Sequence, residues 1–370
     1  MKATTKEYIF IGIDINQTRS MVSLLYPGLK EPETVNISPI PDQGSIFEQQ
    51  DDFVEYMNRL LLFARQKGME ELEPFLAVTV AQVTPELVEL FRMVLPELGI
   101  LREHFLLLDY KEAFYYHTFH QDPSIRLHGV CLFDFTDHEV KYYLLHTEGA
   151  GRVKRVSVQE RTWTANDQVL ESDMNRDEFF SNVLRQTFMK KIVSGVYLIG
   201  DGFDGEWLKD SLRLFGTNKR VFLGKNLYTR GACYAAYRAM HMENWNIYYD
   251  CDYKLRGEIS LSLIKDQKEV RLPLSRMGEN WFFATPEYRM ISDGSDRITI
   301  HVLERAHPNS RERELVLTEL PERDGRSIRL RIQAKPRSAA DVDIEVFDDG
   351  FGELFASSGR RWVFHEHFES

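Results

Sequence analysis

Three cysteines in 370 residues exclude a fold built on disulfides. Cys131, Cys233 and Cys251 are also too scattered for a zinc site, which needs ligands in close pairs. Cys131 and Cys233 sit in apolar surroundings and read as small core residues. Long apolar runs are missing too: no stretch approaches the ~18 uninterrupted residues of a membrane helix, so no membrane insertion is expected. Met1 to Glu7 lead into a strand without the apolar segment of a secretory signal, and a cytoplasmic location is expected. Positive charge is in deficit. Lys and Arg number 46 against 57 Asp and Glu, a formal net charge of −11, which argues against a general nucleic-acid binder. Beyond Trp245 there is no convincing helix of useful length.

What remains is a chain too long for one ordinary core, with 43% hydrophobic and 28% charged residues, as in soluble globular proteins of two or three domains. Ile9 to Ser20 is its organising stretch. Tyr8 to Ile13 reads as a buried β-branched strand. It ends in Asp14, turns through Asn16 and Thr18, and returns along Met21 to Tyr26. About 120 residues later Gly129 to Phe133 ends in Asp134, turns through Thr136-Asp137-His138-Glu139, and returns along Val140 to Leu145. A third edge around Arg152 to Val158 extends it. Two strand–Asp–turn–strand units hint at an internal duplication.

Between them the spacing predicts a helix over 51–67, a strand over 76–80, a helix opened by the Thr84 cap and Pro85, a strand over 105–108 and a helix over 109–119. Residues 160–175 read as a polar loop and 176–192 as a helix. Val196 to Ile199 is a strand running into Gly200-Asp201-Gly202-Phe203. The helix expected over 204–214 would point its N-terminus at that glycine turn, a geometry able to receive an anion. A helix over 229–240 carries Gly231, Ala232, Ala235 and Ala236, small enough for close backbone packing. After about residue 245 short alternating strands predict a β-sandwich: 258–264, 269–274, 297–303, 314–320, 327–333 and 342–347.

In this order the elements resemble the actin, sugar-kinase and 70-kDa heat-shock ATPase fold, and the sandwich placed after it resembles the heat-shock chaperone branch. Gly12-Ile13-Asp14-Ile15-Asn16-Gln17-Thr18-Arg19-Ser20 is similar to that family's first phosphate loop, Val196 to Phe203 to its adenosine motif, and Gly231 to Ala236 to its second connecting helix. Glu112-Ala113 matches the first connecting helix in part. The resemblance implies a fold class of α/β: a two-lobed actin-like ATPase fold with a reduced second lobe, followed by an all-β sandwich. The ATPase-fold domain would span 1–244, with lobes over about 1–127 and 128–244, and the substrate-binding-type sandwich 245–370. If the site is active, the resemblance implies Mg held through Asp14 and Asp134, phosphate contacts from Asn16, Gln17, Thr18 and Thr136, and ATP or ADP approached by Gly200, Asp201 and Gly202.

The departures point elsewhere. The family's second loop reads Asp-Leu-Gly-Gly-Gly-Thr, and here it is Asp134-Phe135-Thr136-Asp137-His138-Glu139. Those glycines let backbone approach phosphate, whereas Asp137 and Glu139 set negative charge beside it, a repulsion on the order of several kcal/mol in a partly dry cleft. The interval from Asp134 to Gly200 is short for the outer subdomain that clamps adenosine. The reading adopted is therefore a degenerate, non-catalytic, chaperone-like scaffold that binds a protein or peptide partner through the sandwich or the cleft. The alternative is an active ATP-dependent chaperone with altered loops; a sugar or acyl kinase would leave the sandwich unexplained. His117 and His120 are expected at a surface or interface, and His365 and His367 on an exposed tail. Trp281, Phe282, Phe283 and Tyr288 are expected in the sandwich core. The basic residues from Arg305 to Arg337 alternate with acids and read as solvated strand faces.

Overall fold

The structure is a computed structural model and describes residues 7–15, 20–35, 50–65, 72–149, 154–188, 192–241, 247–265, 267–282, 286–292, 294–304, 309–323 and 328–369. The chain divides into two compact units, 1–249 and 250–370. Among the described residues no helix is long and apolar enough to cross a membrane.

The first unit opens with three strands, β1 (Tyr8–Ile15), β2 (Ser20–Leu25) and β3 (Glu33–Val35), followed by α1 (Gln50–Arg65), β4 (Glu73–Val80), α2 (Pro85–Val94), β5 (Phe105–Asp109) and α3 (Tyr110–His120). Thr84 caps α2 as its sequence predicts, Oγ1 accepting from Leu87 N at 3.3 Å. The strands form one sheet in the order β3-β2-β1-β4-β5. Hairpin neighbours run antiparallel and the crossover strands β4 and β5 parallel to β1.

The same grammar then repeats: β6 (Val130–Thr136), β7 (Glu139–Glu148), β8 (Lys154–Thr164), α4 (Asp167–Leu170), α5 (Asp173–Phe188), β9 (Gly195–Ile199), α6 (Asp210–Phe215), β10 (Arg220–Leu223), α7 (Leu227–His241) and β11 (Ile247–Tyr249). Read from β8, the second sheet is β8-β7-β6-β9-β10, the order of the first, with β11 added parallel to β8. β6 pairs antiparallel with β7 and parallel with β9. The duplication suggested by two aspartate-bearing hairpins is thus a duplication of whole sheets. α7 closes it by lying across the first sheet, where Ala232, Cys233, Ala235 and Ala236 join Phe10, Phe75 and Leu108 in one core.

Several expectations need correction. Residues 160–175 are not a loop: β8 runs to Thr164 and α4 and α5 begin within the span. No helix begins at Asp204. A 3-10 turn, Asp201–Phe203, follows the glycine, and α6 starts only at Asp210, its Asp210 and Ser211 amides capped by Asp177. A helix of six residues held by a protein carboxylate offers no free N-terminus to an anion. His117 is buried, not at a surface, with its ring edge-on to Tyr197, and His120 stacks on Tyr234 at 4.3 Å. Burial pushes the His117 imidazole down to about 3, so it stays neutral. Both rings follow from a helix that buries all sides. Cys131 and Cys233 are core residues as expected.

The second unit is a sandwich of two four-stranded sheets. Its strands are β12 (Gly257–Lys265), β13 (Lys268–Ser275), β14 (Glu287–Ile291), β15 (Arg297–Glu304), β16 (Arg311–Val316), β17 (Arg329–Pro336), β18 (Asp341–Asp348) and β19 (Arg361–His367). The sheets are ordered β13-β12-β15-β16 and β14-β17-β18-β19. Ile259, Leu261, Ile300 and Val302 from one sheet share a core with Ile332, Ile344 and Val346 from the other, with Trp281 and Tyr288 packed at its margin; Phe283 lies outside the described residues. His365 and His367 are not on a tail. They belong to β19 and face Asp343 and Asp341 of β18 at 3.1 and 2.7 Å. The strand escaped notice because only Trp362, Phe364 and Phe368 mark its apolar side. The outer face of β18 is acidic and ion-paired: Glu345 meets Lys335 at 2.8 Å and Arg361 at 2.5 Å, and Asp343 meets Arg337.

One ion pair is fully internal. Arg323 grips both oxygens of Asp348 at 2.8 Å, and the amides of Gly350 and Ser358 add two more bonds. Burial opposes ionisation of Asp348, but these donors outweigh it and hold the carboxyl far below the usual carboxylate range. Its contribution is therefore complete at neutral pH and is lost as pH falls below the unfolded value near 3.8. Arg323→Ala leaves a buried charge unpaired and is expected to lower local stability by about 3 kcal/mol at pH 7. Native-state hydrogen exchange of the β17 and β18 amides measures it; unchanged protection contradicts the assignment.

Candidate functional site

β1 and β6 occupy the same place in their sheets, and each carries a buried aspartate close to its C-terminal end. Asp14 is 2% exposed and Asp134 8%. Each accepts from a threonine: Thr79 Oγ1, on β4, lies 3.3 Å from Asp14 Oδ1, and Thr136 Oγ1 lies 2.7 Å from Asp134 Oδ1. Each is also held by a tyrosine. Tyr110, first residue of α3, hydrogen-bonds Asp14, and Tyr228, second residue of α7, donates to Asp134 Oδ2 at 2.8 Å. The two tyrosines are equivalent under the duplication and stack on one another, ring centres 4.0 Å apart and planes 5° from parallel.

The stack is possible because α3 and α7 approach closely. Three residues beyond each tyrosine stand Ala113 and Gly231, and a Cβ on Gly231 would overlap the Ala113 carbonyl. Gly12, two residues before Asp14, lies equally close to the Thr229 carbonyl. Ser23 Oγ and Thr229 Oγ1, both buried, are 2.6 Å apart and tie α7 to β2.

Asp14, Asp134, Tyr110 and Tyr228 wall a cavity of about 520 Å³. Thr136, Asp137, Glu139, Gly200, Asp201, Lys141 and Lys225 complete its polar lining, with Met21, Ala81 and Ile199 as apolar contacts. Of the positions singled out in the sequence, the structure brings Asp14, Asp134, Thr136, Gly200 and Asp201 into one cavity. Gly202 is not in its wall: a Cβ there would overlap the Phe135 ring, so this glycine serves the packing of the turn onto β6. Asn16, Gln17 and Thr18 lie outside the described residues.

The second turn is a two-residue hairpin. Thr136 pairs with Glu139, and Asp137 and His138 between them both have positive φ, 48° and 66°, the signature of a type I′ turn. Such a turn closes β6 onto β7 directly and has no glycine run to wrap a phosphate. The cations in the wall are already engaged. Lys225 lies 2.6 Å from Asp204 and 3.7 Å from Asp201, and Lys141 3.7 Å from Glu139.

Burial pushes the Asp14 carboxyl up to about 7, with the Asp134 charge adding and the Tyr110 and Thr79 hydrogen bonds opposing. Burial raises Asp134 as well, against its bonds to Thr136 and Tyr228. Magnesium needs ionised carboxylates with free lone pairs. Here burial pushes both carboxyls toward the protonated form, and both are bonded by hydroxyls. Among the described residues no group of three or more His, Cys, Asp or Glu is arranged to hold a metal. The described residues of the cleft therefore do not fit the Mg-nucleotide that the sequence resemblance implies.

Residues 17–252 match a family described as family of unknown function (DUF5716), C-terminal, more than half of the chain. The chain belongs to that family. Residues 254–367 of this DUF5716 chain match a second description, domain of unknown function (DUF8552). No curated protein matches it in sequence. Solved structures resemble it distantly. The Aquifex aeolicus Ppx/GppA phosphatase is 13% identical over 52% of this chain and 68% of its own, with a TM-score of 0.33. The ethanolamine utilization protein EutJ from Carboxydothermus hydrogenoformans is 10% identical over 61% and 89%, TM-score 0.38. The ROK hexokinase from Thermus thermophilus is 10% identical over 64% and 100%, TM-score 0.38. These share the actin-like ATPase fold, and none of them is a heat-shock chaperone. The architecture of the DUF5716 unit stands on its doubled strand order, not on these scores.

The tyrosine pair, Thr79 and both lysines escaped the sequence reading. Aligning the two halves finds the tyrosines: Tyr110 and Ala113 fall on Tyr228 and Gly231 at the same spacing. The raised Asp14 value has a testable sign. Its contribution to stability is complete below the unfolded value of 3.8 and is lost as pH rises through about 7. Asp14→Asn is expected to stabilise the first unit by on the order of 2 kcal/mol at pH 8 and to have little effect at pH 4. Urea unfolding at the two pH values measures this; an equal effect at both contradicts a raised Asp14.

Proposed function

We propose that the chain is a non-catalytic, chaperone-like scaffold. In this reading the first unit keeps the duplicated architecture of an actin-like ATPase without its chemistry, and a protein or peptide partner is bound through the sandwich or the cleft. One observation carries the loss of catalysis: both cleft aspartates are spent on protein hydroxyls, Asp14 on Thr79 and Tyr110, Asp134 on Thr136 and Tyr228. Two further features support it. Asp137 and Glu139 place carboxylates on the wall where a phosphate loop would need amide donors. The tyrosine stack is braced by helices that already touch backbone to backbone.

The peptide-binding half of the proposal rests on the second unit being a separately cored sandwich, the module placed after the ATPase fold in the chaperones that the sequence resembles. Isothermal titration of the full chain with Mg-ATP and Mg-ADP tests the catalytic half. The expected result is no saturable heat below about 1 mM, weaker than about −4 kcal/mol of binding. Micromolar binding of either nucleotide would overturn it and restore the ATP-dependent reading.

A further inference from the structure

The outer face of one sandwich sheet carries a cavity of about 380 Å³ that the nucleotide question does not touch. Its polar wall comes from Glu258 and Ser260 on β12, Arg271 on β13, Arg276 just beyond it, His301 on β15 and Ser310 before β16. Arg271 and Arg276 are exposed, and among the described residues neither guanidinium has an ion-pair partner. Glu258 is the carboxylate in the wall and pairs with neither.

His301 is the unusual member. It is 4% exposed although it stands on the outer face of its sheet. Its Nε2 lies 2.6 Å from Ser262 Oγ, and its Nδ1 is buried without a hydrogen-bond partner. The Glu312 carboxylate, opposite on β16, stands 3.6 Å from Nδ1, outside hydrogen-bond reach, on a side chain 70% exposed. Ser262 Oγ donates to Glu269 Oε1 at 3.3 Å, so the contact at Nε2 is met with Nε2 carrying the ring hydrogen, and Nδ1 is left as an unpartnered acceptor. Buried polar atoms of this kind are rare unless something else completes them.

Two guanidiniums without ion-pair partners among the described residues and two serine hydroxyls make a wall of donors. Guanidinium forks match the oxygens of a phosphoryl group two at a time. The geometry points to a binding site for a phosphate-class oxyanion on the β13-β12-β15-β16 sheet, brought either by a phosphorylated side chain of a partner peptide or by a small phosphate ester. The site lies wholly within the second unit and is independent of the reading of the aspartate cleft.

The experiment titrates the full chain with inorganic phosphate, read by phosphorus NMR, and with a phosphoserine peptide and its unphosphorylated twin, read by fluorescence anisotropy. Saturable phosphate binding is expected. Arg271→Ala and Arg276→Ala should each weaken it about tenfold; both side chains are exposed, so the fold is retained. Glu258→Gln should tighten it about threefold by removing a like charge. A phosphopeptide that binds far tighter than inorganic phosphate and than its twin assigns a modified partner, and a phosphopeptide no tighter than inorganic phosphate assigns a small ester. No saturable binding up to about 10 mM phosphate, binding that survives both arginine substitutions, or equal binding of the two peptides to the wild-type chain would overturn the proposal.

Discussion

The first unit depends on how closely α7 lies on the first sheet and on α3. α7 follows β6 to β10 of the second sheet in the chain, yet its small residues share a core with Phe10, Phe75 and Leu108. That crossing exists only where side chains vanish. Gly12 gives way to the Thr229 carbonyl and Gly231 to the Ala113 carbonyl. At such distances even one methyl group forces backbone to move, at a cost of about 1–3 kcal/mol or more per site. The buried Ser23–Thr229 hydroxyl pair then fixes the rotation of α7.

The geometry of the cleft follows from this crossing. With α3 and α7 in backbone contact, the residue one turn earlier on each helix must meet its counterpart, and here both are tyrosines. Their stacking points the two hydroxyls at the two sheets, where each finds the aspartate close to the end of the first strand. The carboxyls are satisfied without a metal, and burial makes proton retention at Asp14 the cheaper way to fill its site.

Much of this was legible in the residues. Asp14 and Asp134 near their strand ends, the small-residue run from Gly231 to Ala236 and the Thr84 cap each obey a local rule, and each appears where that rule puts it. The loss of glycines around Thr136 to Glu139 was equally plain, whereas the type I′ turn through Asp137 and His138 was not, because those residue types rarely take positive φ. The rest of what was not legible is long-range. The stack joins residues 118 positions apart, and nothing local in Tyr110 or Tyr228 distinguishes them from core aromatics. α6 begins at Asp210 and not at Asp204 because Asp177, far back on α5, caps it there. β19 was hidden because its outer face carries Arg361, His365 and His367, which pair with carboxylates on β18. His117 was misplaced because α3 has no polar side for it to occupy.

The central claim is that Asp14 holds a proton and hydroxyl partners in place of a metal and phosphate. The most direct measurement is a carbon NMR titration of the Asp14 carboxyl in the full chain, with and without Mg-ATP. A midpoint near 7, unmoved by nucleotide and magnesium, is the result this account requires. A midpoint in the ordinary carboxylate range near 4, or one displaced downward on adding Mg-ATP, would contradict it.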